Sequence, residues 1–198
     1  MMDRIDSPRL ICVEGKDEIN FFNALLKYLS IDNVQIIDFE GKDKFKNKIP
    51  ALVNMQGFDT VETIALIRDA DENPPVSAFE SLVSILRNSG LKPPTSNQSF
   101  SNGKPKIGIF ILPGNSQTGA LEDLCLNSIY STDHFKCIEQ YFNCLNANLN
   151  HLSKAKVLCY LAGKEPFSNA LGIAAQKGHW DFSNHSFDPL KEFVMQLR

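Results

Sequence analysis

Carboxylates recur in this chain at the points where apolar runs stop. The run Arg9-Leu10-Ile11-Cys12-Val13 ends at Glu14-Gly15-Lys16-Asp17-Glu18, and Thr63-Ile64-Ala65-Leu66-Ile67 ends at Arg68-Asp69-Ala70-Asp71-Glu72. An Asp-x-Asp at a strand end points two carboxylates to the same side, and hard oxygen donors of this kind suit Mg²⁺ or Mn²⁺. Gly15 lets the chain turn sharply after Glu14, and Glu18, four residues on, lies about one helical turn from it. Either motif alone is also what ordinary loop starts show, where Asp caps and solvates. Their recurrence after separate strands points to a shared site, because ligands of open α/β sheets sit at the carboxyl ends of strands near a topological switch point.

The elements that must position these acids are legible as alternating patterns. After the first run, Asp17 can cap a helix whose Ile19, Phe22, Leu25, Leu26 and Leu29 share one face at a spacing of about 3.6 residues. A second run, Val34 to Phe39, stops at Glu40-Gly41-Lys42, and a weaker helix follows from Phe45 to Met55 with Pro50 inside it. After the third run and the turn Asn73-Pro74-Pro75, Phe79, Leu82, Val83 and Leu86 line a helix ended by Gly90. Leu91 to Lys106, rich in Pro, Ser, Asn and Gly, reads as a surface loop. A fourth run, Ile107 to Leu112, stops at Pro113-Gly114, and a helix over about 120–129 follows. Near-continuous apolar strands alternating with amphipathic helices predict an α/β domain, its mostly parallel sheet covered on both faces. From about Thr132 the chain reads as helical, with Phe135, Ile138, Tyr141, Phe142, Leu145, Leu149 and Leu152 marking one helix face, then helices over 154–161 and 187–197. The organisation expected is a core over residues 1–130 and a helical extension over 131–198 packed on it.

Composition bounds the function. At 198 residues, 43% apolar and 22% charged, the chain can bury roughly 70% of its unfolded surface and is not a disordered tail. No apolar run approaches the roughly 20 residues that span a bilayer. The start, MMDRIDSPRL, has no apolar h-region, and five cysteines without a CxxC pair suit a reducing cytoplasm. A net charge of −3 argues against a uniformly basic nucleic-acid binder and leaves room for local basic grooves.

Ile11-Cys12-Val13-Glu14-Gly15-Lys16-Asp17-Glu18 and Ala65-Leu66-Ile67-Arg68-Asp69-Ala70-Asp71 together resemble the Toprim fold of topoisomerases, primases and OLD-family nucleases: glutamate after the first strand, Asp-x-Asp after the third. A closer resemblance is to Toprim-like bacterial proteins of the DUF3226 type. It rests on Ile109-Phe110-Ile111-Leu112-Pro113-Gly114 followed by Leu121-Glu122-Asp123-Leu124. The Toprim likeness spans about residues 9–130. It implies that Glu14 acts as general acid/base or metal ligand, and that Asp69 and Asp71 bind metal. Glu18 matches the acid that OLD-type domains place one turn later. Glu122, or Asp123, is the further carboxylate for a second ion, and a late lysine, Lys154 or Lys156, joins the site. The implied chemistry is Mg²⁺- or Mn²⁺-dependent phosphoryl transfer, nucleolytic cleavage of DNA or RNA, with repair or phage defence as the setting and an ATPase as a possible partner protein. Two divalent ions about 4 Å apart can stabilise the attacking and departing oxygens together. Clustered carboxylates without cations repel one another and have raised pKa values.

Other signals are weaker. Lys42, Lys44, Lys46 and Lys48 form the densest basic segment and read as solvated helix surface, with Lys42 able to hold a phosphate beside the second strand end. Lys16, next to the acids, is the better phosphate contact. The loop Gly114 to Gly119 lacks the Gly-Lys-Ser/Thr ending of a P-loop, so no nucleotide cofactor is expected; it reads as the connection that brings Glu122 to the sheet edge. His134, Cys137, Cys144 and His151 are too spread along a helix to surround one zinc ion. Two other classes stay open. One is a metal- or nucleic-acid-binding module without catalysis. The other is a receiver-like phosphoacceptor, against which the Asp-x-Asp pair and the want of a clear fifth strand both speak.

Overall fold

The computed structural model describes residues 4–146 and 149–198. Residues 1–3, part of the amino-terminal stretch read above for an export signal, lie outside it. Strands β1 (Arg9–Val13), β2 (Val34–Asp38), β3 (Thr63–Asp69), β4 (Ser99–Phe100) and β5 (Lys106–Leu112) form one sheet in the order β2-β1-β3-β5-β4. All neighbours pair in parallel except β4, which runs antiparallel to β5. The helices are α1 (Lys16–Tyr28), α2 (Phe45–Val53), α3 (Pro75–Asn88), α4 (Leu121–Ile129), α5 (Asp133–Leu145), α6 (Leu152–Ala162), α7 (Leu171–Gln176) and α8 (Asp188–Met195). The chain is an α/β protein with a mostly parallel sheet and a helical carboxyl-terminal region.

The strand period of two divides the core. Ile11, Val13, Ala65, Ile67, Phe110 and Leu112 enter one buried cluster, which α1 and α4 cover. Leu10, Cys12, Ile64, Leu66, Ile109 and Ile111 enter the other, covered by α2 and α3. The connection from β1 leads one way to β2, while those from β2 and β3 lead the other way. Right-handed crossovers in opposite directions must place their helices on opposite faces, as α1 and α2 are. The reversal leaves β1 and β3 side by side, with their carboxyl ends parting to the two flanks.

Among the described residues, several beyond 131 share a core with the sheet. Val157, Leu161, Leu171, Ala174, Phe187, Leu190 and Phe193 are buried in the same cluster as β1, β3 and β5. Gly172 of α7 packs directly on the Asp17 backbone, where a Cβ would overlap the Asp17 carbonyl oxygen and Asn20.

Two expectations need correction. The stretch 91–106 is not wholly loop: Ser99 and Phe100 pair with Ile109 and Gly108 as β4. Phe100 lies over Gly108, where any Cβ would meet its ring, and its ring stacks on Phe193 at 4.8 Å. Two residues are too few to show an alternation. Nor does one helix carry the stripe from Phe135 to Leu152. Helix α5 ends at Leu145 because Asn146 adopts a left-handed backbone (φ 45°), a conformation Asn tolerates. Leu152 opens α6. The apolar period ran on across the break because Leu149 and Leu152 happen to keep its phase.

Candidate metal centre

The β1/β3 boundary is the switch point of the sheet, where a crevice opens beyond the carboxyl ends. Cys12 pairs with Leu66, so continuing the register sets Glu14 beside Arg68. Glu14 Oε1 accepts the Asp69 N–H at 3.1 Å, bridging the two strand ends. Asp69 Oδ1 in turn accepts the N–H of Leu121, the first residue of α4, at 3.2 Å. Residues 55 and 52 positions apart are thus tied at one point.

Asp71 reaches the rim by a different route from a regular strand extension. Ala70 is buried, and Asp71 takes a left-handed backbone (φ 55°). An antiparallel bridge to Gly119 fixes it, with Asp71 N–H donating to Gly119 at 2.8 Å and Gly119 N–H returning at 2.7 Å. The same bridge anchors the loop before α4 and carries Glu122 to the edge, as its position predicts. Asp71 Oδ2 accepts Lys42 Nζ at 2.6 Å.

Two adjoining hollows meet on Asp69, Glu122 and Lys154. One is lined also by Glu14, Lys16, Glu18, Asp38 and Glu40. The other, a cleft of about 710 Å³, takes in Asp71, Lys42 and the start of α6. Glu14, Glu18, Asp69, Asp71 and Glu122, drawn from three separate stretches of sequence, therefore share one rim.

Burial first, and the neighbouring carboxylates second, raise the pKa values of Glu14, Glu18 and Asp69. Burial, then Glu14, Glu18, Glu122 and Asp71, hold the Asp69 carboxyl well above the usual carboxylate range. Burial pushes Glu14 up to about 7; the Asp69 N–H opposes this, Asp71 adds repulsion and Arg68 relieves part of it. Glu18 is raised by burial and then chiefly by Glu122, Asp17 and Asp38, despite a compensating backbone hydrogen bond. Buried acids that disfavour their own ionised form in this way are a cation's complement.

The structure also sorts the alternatives. Asp123 is spoken for: its Oδ2 accepts the Ala120 N–H at 2.8 Å and its Oδ1 the Ser153 hydroxyl at 2.6 Å. Glu122, its neighbour, faces both hollows. Lys154 lines both as well, whereas Lys156 is not brought to the rim. Lys156 is ion-paired with Glu139 of α5 and sits 5.9 Å from the Phe135 ring centre. Two residues along a helix turn the side chain by about 200°, so only one of the pair can face the cleft. Glu40, of the second Glu-Gly-Lys triplet, pairs with Lys48 at 2.7 Å. Asp17 does not cap α1; its Oδ1 accepts the Gly172 N–H at 3.2 Å. Sequence reasoning missed Ser153 and the cleft wall Leu149, His151 and Leu152, which no motif marks.

Among the described residues, no three His, Cys, Asp or Glu side chains already close on a single point as a preformed cage. The donor set still fits a hydrated hard ion: it is all oxygen, and Mg²⁺ keeps several waters while using one or two protein carboxylates.

The fold is an α/β domain with a mostly parallel sheet and a helical carboxyl-terminal region. The chain belongs to the DUF3226 family, whose model, described as "Protein of unknown function (DUF3226)", matches residues 8–198. Among solved structures it is similar to a hypothetical protein of Pyrococcus horikoshii OT3, 20% identical over 96% of this chain and 94% of that one, with a TM-score of 0.63. It is also matched by the C-terminal region of the OLD protein of Xanthomonas campestris pv. campestris, at 13% identity, a TM-score of 0.46 and 96% of each chain. No curated protein matches. Among the described residues no helix is long and apolar enough to cross a membrane.

Proposed function

We propose that this chain is a Mg²⁺- or Mn²⁺-dependent nuclease, hydrolysing phosphodiester bonds of DNA or RNA at the β1/β3 rim in the cytoplasm. The observation that carries the reading is that Glu14, Glu18, Asp69, Asp71 and Glu122 line two hollows that meet on Asp69 and Glu122. These five would hold one or two ions. A divalent cation bound there supplies charge neutralisation for the phosphoryl group in transfer. Hydrolysis joins a water oxygen to phosphorus and breaks the ester P–O bond; the water gives up a proton and the leaving oxygen gains one. Glu14 Oε1 is engaged by the Asp69 N–H, which leaves Oε2 for a proton or an ion. Lys16 and Lys154 stand at the rim as phosphate contacts, and Lys42 joins them when it releases Asp71. So few cations on a net-acidic chain favour a partner protein, such as an ATPase, for tight nucleic-acid contact.

A second reading, a binding module without catalysis, draws on the Lys42–Asp71 ion pair, which already gives one carboxylate a cation. Cleavage of DNA and RNA with Mn²⁺, Mg²⁺ or chelator, comparing wild type with Glu14→Gln and Asp69→Asn, decides between them. Metal-dependent cleavage lost in both variants supports the nuclease. Cleavage that survives both substitutions removes this site from the chemistry, and metal binding with no cleavage leaves the module.

A further inference from the structure

Asp71 differs from the other four acids of the rim in having a cation already. Lys42 Nζ lies 2.6 Å from its Oδ2, whereas among the described residues no lysine, arginine or histidine is ion-paired with Glu14, Glu18, Asp69 or Glu122. Those four acids line one hollow together, and Asp71 and Lys42 line only the other. Both ends of the ion pair start from anchored backbone. Lys42 opens the short turn before α2, and the Gly41 N–H just before it donates to the Glu14 carbonyl at 2.7 Å. Gly41 takes φ 113°, which glycine adopts without a Cβ clash, so the turn closes on the end of β1. Asp71 is fixed by its two hydrogen bonds with Gly119. The lysine that reads in the sequence as solvated helix surface is thus part of the cleft.

We propose that Lys42 is the resident counter-ion of Asp71, so that the free chain takes up a single divalent ion, in the hollow of Glu14, Glu18, Asp69 and Glu122. The inference rests on the metal-dependent nuclease reading and says how that site is loaded before substrate arrives. An ion approaching Asp71 must either displace the ammonium from the carboxylate or sit beside it and be repelled. The hollow of the other four acids sets no such contest, because none of them has an ion pair to break. In the free chain no phosphate competes for Lys42, a compact charge on a flexible stem, so its pair with Asp71 stands. Lys42 therefore supplies at Asp71 the positive charge that a second ion would otherwise bring.

The test is calorimetric titration of the full-length chain with Mn²⁺, without nucleic acid. Wild type should bind about one ion per chain. Lys42→Met, which removes the charge and keeps nearly the length of the side chain, should bind about two, its second-ion Kd at least about tenfold below that of wild type. Lys42→Arg keeps a cation beside Asp71 and should stay at about one ion. Adding Asp71→Asn to Lys42→Met should return the count to about one, and Asn tolerates the left-handed backbone that Asp71 adopts. Circular dichroism checks that each variant folds as wild type. Two ions on wild type, one ion on Lys42→Met, or a second ion that survives in the double variant overturns the inference and leaves the metal centre standing. Absence of Mn²⁺ binding by wild type overturns the nuclease reading itself.

Discussion

Replacing Glu14 by Gln removes one negative charge from the rim and keeps the Oε1 that accepts the Asp69 N–H. In the metal-free protein the Glu14 carboxyl is raised from 4.5 to about 7, with burial the first cause. An acid whose folded pKa is raised lowers stability once it ionises. The penalty is absent below pH 4.5, grows as pH rises, and is complete above pH 7. At 1.36 kcal/mol for each pH unit this is about 2–3 kcal/mol after allowing for partial solvent access. Glu14→Gln should therefore raise the melting temperature of the metal-free protein at pH 8, by about 4–10 °C for a chain of this length. At pH 5 the gain should shrink to about 2 °C or less. Manganese should act the other way. For wild type, saturation at about a hundred times Kd adds about 2.7 kcal/mol, and Glu14→Gln should lose most of that. Calorimetric melting at pH 5 and 8, with and without Mn²⁺, reads all four quantities. A variant less stable than wild type at pH 8 without metal would refute the electrostatic account. A full Mn²⁺ response in the variant would refute Glu14 as a ligand.

Asp69 separates structure from charge: Asp69→Asn should abolish Mn²⁺ binding by calorimetry and still fold, because Oδ1 continues to accept the Leu121 N–H. Asp69→Ala should lose both metal and about 1–3 kcal/mol in urea unfolding, since it strands that N–H. Lys154→Met should cut single-turnover cleavage at least about tenfold, a loss of one good charge contact. Lys156→Met should leave cleavage unchanged and lower the melting temperature slightly, because its ion pair with Glu139 lies away from the rim. Gly172→Ala sets a methyl against the Asp17 backbone and should cost about 1–3 kcal/mol by denaturant titration; a neutral result would mean α7 does not hold the start of α1.

What the sequence made legible depended on period and on separation along the chain. Strands β1, β3 and β5 are buried on both faces and read as continuous apolar runs, so their ends, and the acids at those ends, could be placed. Convergence followed from one rule, that crossover direction reverses where β1 and β3 lie adjacent. Contacts between distant segments that use backbone left no such trace. Nothing local tells that Gly172 must admit the Asp17 carbonyl, or that Asp17 would turn to the Gly172 N–H rather than cap its own helix. The break after Leu145 was hidden because one Asn in a left-handed conformation ends a helix without disturbing the apolar phase. Lys154 and Lys156 were indistinguishable without knowing which face of α6 met the cleft.

The helical region also changes what the acid rim can do. The carboxylates come entirely from the α/β part, which also sets Lys16 and Lys42 at the rim. Leu149, His151, Leu152, Ser153 and Lys154 line the cleft from residues 149–154, at the start of α6. The first turn of α6 is fastened at the site itself, because Ser153 donates to the Asp123 that closes the first turn of α4. The buried faces of α6, α7 and α8 then join the cluster beneath β1 and β3. A displacement of α6 would therefore reach Asp123, Ala120 and the neighbouring Leu121 N–H on Asp69 before it reached solvent. The wall that would meet a substrate and the acids that would hold an ion are linked through three hydrogen bonds, so neither can be repositioned without the other.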